Sequence, residues 1–124
     1  MESFVKSLSC ATLALVMMSS VPVVAAADGQ AVYNANGCAT CHGATGQGDG
    51  AAAAAMNPKP RSFASGEFAY DTDGDGNKGS DADLMNIIKY GTAKYGGSPL
   101  MPGRADIADA DINAMIAYIR SLKQ

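Results

Sequence analysis

Cys38-Ala39-Thr40-Cys41-His42 is the part of this sequence whose residue types and spacing could do chemistry. Two thiols at C-x-x-C spacing followed at once by an imidazole form C-x-x-C-H, the attachment motif of a c-type haem. The thiols can reach the two vinyl groups of one porphyrin and form thioethers, and His42 then lies under the iron as an axial ligand. Other chemistries fit less well. A structural zinc site takes about four ligands, whereas beyond residue 27 the chain offers only Cys38, Cys41 and His42. A thioredoxin-like redox pair sits in a βαβ setting, of which the sequence has no sign. A Cys38–Cys41 disulfide would close too short a loop to stabilise much.

The second iron position decides what such a haem would do. His42 is the only histidine, so two imidazoles from one chain are excluded. Met85 and Met115 fall in helical apolar stripes and read as core. Met56 ends an alanine run and reads as packing. Met101 lies in Ser98-Pro99-Leu100-Met101-Pro102-Gly103, where flanking prolines stiffen the backbone. A stiff loop presents a thioether to iron without strain as the metal changes charge. Met101 is the favoured ligand, with an open position or Met56 as the alternatives. A second candidate site is the acidic stretch Asp71-x-Asp73-x-Asp75-Gly76, which matches the first half of an EF-hand loop. The match fails at position twelve, which is Ala82. Calcium bound by Asp71, Asp73, Asp75 and Asp81 is one reading, and a solvated loop of mutually repelling carboxylates is the plainer one.

These residues have to be positioned by few elements. The chain has 124 residues, of which 48% are apolar, but alanine supplies much of that fraction, there is no Trp, and Gly is abundant at 14. One small domain is the ceiling, and a core so poor in bulky side chains calls for a staple such as a bound cofactor. Residues 1–27 read as a secretory leader: Lys6, an apolar run from Leu8, then Ala25-Ala26-Ala27 with cleavage before Asp28. The expected product is an exported chain of residues 28–124, periplasmic and without a membrane anchor. The net charge of −3 argues against nucleic acid and suggests redox partners with a basic docking face. A short helix is expected from Asp28 to Asn36. Ser80 and Asp83 form a capping box for a helix carrying Leu84, Ile87 and Ile88 and stopped by Gly91. Asp109 is expected to cap a last helix with Ile112, Met115, Ile116, Ile119 and Leu122 on its apolar face. No segment reads as a strand.

Taken together, Gly37-Cys-Ala-Thr-Cys-His-Gly43, the Asn57-Pro-Lys-Pro-Arg61 segment, Ser98-Pro-Leu-Met-Pro102 and the final helix resemble a class I, monohaem bacterial c-type cytochrome. The resemblance spans residues 28–124. It implies an all-α fold of three to four helices and long loops wrapped around one covalent haem c. It implies a crossing of the first and last helices, with Gly29 against Tyr118 and Tyr33 beside them. It also implies a proline carbonyl that accepts the His42 N–H, with Pro58 the candidate and Pro60 the substitute. In place of the missing Trp, Arg61, Tyr70 or Lys94 would hold the haem propionates. The function implied is single-electron transfer by a monomer, with no substrate site. A haem enzyme or gas sensor with an open iron position, or a subunit of a larger oxidoreductase, is the alternative.

Overall fold

The computed structural model describes residues 27–124, so the expected leader lies, apart from Ala27, outside the described residues. Four α-helices follow in order: α1 (Gly29–Ala35), α2 (Cys38–His42), α3 (Asp81–Tyr90) and α4 (Asp109–Ser121), with 3-10 turns at Ala53–Ala55 and Ala93–Tyr95. Among the described residues there is no strand, only an isolated bridge between Gly91 and Pro102. The fold is all-α.

Helices α1 and α2 have seven and five residues. Isolated helices shorter than about 12 residues are marginal in water, so both depend on what surrounds them. Local chemistry still sets their ends. The Asp28 carboxylate accepts from the Gln30 and Ala31 amides, capping α1. Asn36 closes it, and Gly37, at φ 75°, turns the chain directly into α2. The capping box of α3 is present as expected, with Asp81 and Asp83 in the first turn and Lys89 in the last, the signs that suit the helix dipole.

One expected cap is not used. The N-cap of α4 is Ala108, with no side-chain bond, and Asp109 is already helical. The Asp109 carboxylate is instead paired with Lys89 at 2.6 Å. That contact ties α4 to the end of α3 and draws the oxygen away from the helix amides.

The core lies where α4 meets α1 and α3. Gly29 sits at the first crossing, where an added Cβ would overlap the Ala114 carbonyl and press on Tyr118. Only glycine permits this approach. It brings the rings of Tyr33 and Tyr118 edge to face at 5.3 Å. Their hydroxyls donate to the carbonyls of Gly43 (2.8 Å) and Ala44 (3.1 Å), so the α1–α4 crossing also grips the chain just after His42. On the other side of α4, Leu84 and Ile88 of α3 join Ile112, Met115, Ile116 and Ile119 in one buried cluster. Arg120 closes that face by donating to Asp81 and to the Gly79 carbonyl, each at 2.7 Å. Met115 is core, and Met85 packs against it half-buried.

Candidate functional site

A cavity of about 720 Å³ opens between α2, the segment Met56–Ser65, the loop after α3 and the buried face of α4. This is within the range of about 300–1,000 Å³ usual for ligand pockets. Cys38, Cys41 and His42 lie on one side, and Met101 belongs to the loop that supplies another. A separate recess of about 80 Å³ shares part of that lining, and His42 and Met101 both line it while Met56 does not. Met56 lines only the main cavity.

The attachment side is ordered by the first two helices. Cys38 and Cys41 fall on the single turn of α2, and neither is in a disulfide. Burial pushes the Cys38 thiol up, against the opposing charge of Arg104, so it stays protonated at neutral pH. The His42 ring is lowered by burial, which outweighs the raising effect of a backbone carbonyl beside it. Neutral imidazole is the form that binds metals. That carbonyl belongs to Arg61, 2.9 Å from His42 Nδ1, and not to Pro58 or Pro60. The Pro-Lys-Pro bend places the next residue's carbonyl at the ring, a register that backbone conformation decides. The bond fixes the ring and leaves Nε2 as the nitrogen for a metal, and the Phe63 ring stacks on the imidazole at 4.7 Å.

The methionine side is a loop folded back onto α3. The Thr92 amide donates to the Met101 carbonyl (3.3 Å), and the buried Thr92 hydroxyl donates to the Ser98 carbonyl. Gly91 bridges to Pro102, and the Arg104 amide donates to the Ile88 carbonyl at 2.7 Å. Gly91 has φ 77°, and a Cβ there would meet the Met101 carbonyl. Thr92 and Arg104 line the cavity without belonging to any motif, so the sequence alone does not single them out.

The charged residues lining the cavity are Lys59, Arg61 and Arg104. Asp106 accepts from Arg104, and Asp83 lines the adjoining recess. Arg61 and Tyr70 are at the cavity, as the propionate expectation requires, while Lys94 lies over the Tyr90 ring at 4.2 Å and does not line it. Pro58 lines the cavity without bonding the imidazole.

The acidic stretch is arranged differently from the calcium expectation. The structure groups Asp71 and Asp73 with Asp83, not with Asp75 and Asp81. Asp81 is engaged by Arg120, and Asp75 accepts from the Asn77 amide. Asp71 accepts from the amides of Gly74 and Gly76. Asp83 is buried, which alone would raise its carboxyl. Hydrogen bonds from the amides and hydroxyls of Thr72 and Ser80 outweigh burial and hold its pKa at about 2. Its oxygens serve the capping box and the loop, where an EF-hand would use a bidentate Glu for the ion.

The donor set suits a c-type haem: two free thiols on one helical turn, a neutral imidazole with one nitrogen engaged, and a thioether lining the same recess. A family whose model is described as Cytochrome c matches residues 26–123. No curated protein matches the chain significantly. Among solved structures, a chain of the Kuenenia stuttgartiensis reducing HAO-like protein complex is similar, at 30% identity and a TM-score of 0.63. That alignment covers 77% of this chain and 41% of the other, so this chain spans about two fifths of its length.

Proposed function

The chain belongs to the cytochrome c family, and from that premise we propose that it is a one-haem, single-electron carrier whose axial ligands are His42 and Met101. The observation that carries this reading is the shared lining: His42 and Met101 line one cavity of about 720 Å³, and both, unlike Met56, also border the recess beside it. When bound, a haem c supplies one-electron ferric–ferrous chemistry, and thioether ligation in an apolar surround favours the reduced state. The chain's own residues do the rest. Cys38 and Cys41 hold the group by thioethers, the Arg61 carbonyl orients the imidazole, and Ile88, Ile107, Ile119 and Met115 keep water from the interior.

Single-site variants and ligand binding test the assignment together. The ferric protein is expected to show a sulfur–iron charge-transfer band that Met101→Ala abolishes while haem stays attached. Native ferrous protein is expected not to bind carbon monoxide at neutral pH. Rapid, tight binding would replace this reading with the gas-sensor or enzyme one.

Docking follows from the local charge. Lys59 and Arg61 are exposed at the cavity mouth beside Leu100 and Pro102, which suits a redox partner with an acidic face. Electron-transfer rates with that partner should fall as ionic strength rises. Export belongs to the same proposal. Cleavage after Ala27 would leave Asp28, the cap of α1, as the first residue. Mass measurement of the secreted protein checks that terminus. The likeness to a chain of an HAO-like complex supports a second reading, in which this domain carries electrons inside an assembly. Co-purification with a larger oxidoreductase would favour it over a free carrier.

A further inference from the structure

The two sides of the cavity are far apart in sequence, and something must hold them at a fixed spacing. Among the described residues, Arg104 makes the only hydrogen bonds that join residues 28–43 to residues 91–104. Its guanidinium donates to the backbone carbonyl and to the side-chain oxygen of Asn36, each at 3.0 Å, across 68 positions of sequence. Asn36 is the closing residue of α1, adjacent to the Gly37 turn that launches the Cys38–His42 helix. Its amide nitrogen donates to the Val32 carbonyl at 2.8 Å, which orients the oxygen toward the arginine. Asp106 accepts two further bonds from the same guanidinium, at 2.8 and 2.9 Å, and the Arg104 amide is held by Ile88 of α3. One residue thus ties the attachment side and the Met101 loop through its side chain and the end of α3 through its backbone amide.

Resting on the reading of His42 and Met101 as the two iron ligands, we propose that Arg104, braced by Asp106, is a positioning residue that keeps Met101 at the iron by clamping its loop to Asn36. The planar fork matters here as well as the charge. Five donors in one plane reach Asn36 and Asp106 together, and an ammonium on a flexible stem does not reproduce that arrangement. Releasing the clamp opens the loop without touching the thioethers.

Imidazole titration of the ferric holoprotein, followed by loss of the sulfur–iron charge-transfer band, reads the opening directly. An added ligand binds only when Met101 has left, so its apparent affinity scales with the open fraction. Arg104→Gln should raise that affinity about tenfold or more, the weight of charge-assisted hydrogen bonds. Arg104→Lys should raise it as well, and Asn36→Ala should do so in a way that is not additive with Arg104→Gln. If Arg104→Gln does not accumulate, Asn36→Ala carries the test, since it leaves the Arg104–Asp106 pair in place. Arg120→Gln cuts a tie of similar kind on the far face of α4. It should lower the melting temperature and leave the imidazole affinity unchanged. Wild-type affinity in both Arg104→Gln and Asn36→Ala, or an equal rise in Arg120→Gln, overturns the proposal. Absence of the band in the wild-type protein identifies the Met101 assignment as the failure and removes the proposal with it.

Discussion

The side of the cavity that bears Cys38, Cys41 and His42 is built from five consecutive residues, whereas the side that bears Met101 is assembled from pieces that meet only on folding. In the first, one helical turn presents the whole donor set. In the second, Met101 is placed by Thr92, by the Gly91–Pro102 bridge and by Arg104 reaching back to Asn36. The contrast teaches that the attachment motif is a local property while the placement of Met101 is a tertiary one. Variants should therefore separate the two, and those that do not would break the comparison.

The largest effect is expected from replacing both thiols. Cys38→Ala with Cys41→Ala removes the covalent link, and the short α1 and α2 should not persist without the group they surround. Circular dichroism of the exported chain should show loss of most helix, and a well-folded haem-free protein would refute the dependence. Next is Gly29→Val, which drives a branched side chain into the Ala114 carbonyl. Overpacking of this kind costs about 1–3 kcal/mol. It should lower the denaturation midpoint while leaving the methionine–iron band intact in the folded protein.

Thr92→Val is smaller and sharpens the contrast from the other side. It leaves the Ser98 carbonyl without its donor, a loss of about 1 kcal/mol. The band should weaken at lower denaturant than in wild type, while haem attachment is unchanged. An equal shift in global unfolding and band loss would show that the loop does not open independently.

The least visible change at neutral pH concerns the acidic loop. Asp83 titrates at about 2 in the folded chain and near 3.9 when unfolded. Its folded value is depressed, so its contribution is complete above about pH 4 and is lost as pH falls through about 2. Asp83→Asn should therefore show a flatter fall in stability than wild type between pH 4 and 2, read from denaturation midpoints. Parallel curves would mean that the capping box does not depend on the charge.

How much was legible follows the same division. The α3 helix was readable because its box, its Leu84–Ile88 stripe and its Gly91 stop are short-range signals that agree with one another. The cap of α4 was misread, since Asp109 has a competing partner in Lys89, 20 positions earlier. The imidazole acceptor was expected at Pro58 and lies at Arg61, because loop backbone geometry decides which carbonyl faces the ring. The calcium set was drawn from spacing, and folding regrouped it around Asp83. Net charge says nothing of where charges gather, and folding brings Lys59, Arg61 and Arg104 to the cavity.

By itself, the sequence determined the attachment motif, the helical class and the one imidazole beside it. Each depends on bonded neighbours or on a single available residue, and those are properties of order along a chain. Only the tertiary structure decided which carbonyl steadies His42, what charge borders the cavity and what holds Met101 in place. Those depend on groups such as Arg104 and Asn36, 68 positions apart, whose meeting is settled by packing and leaves no local pattern to read.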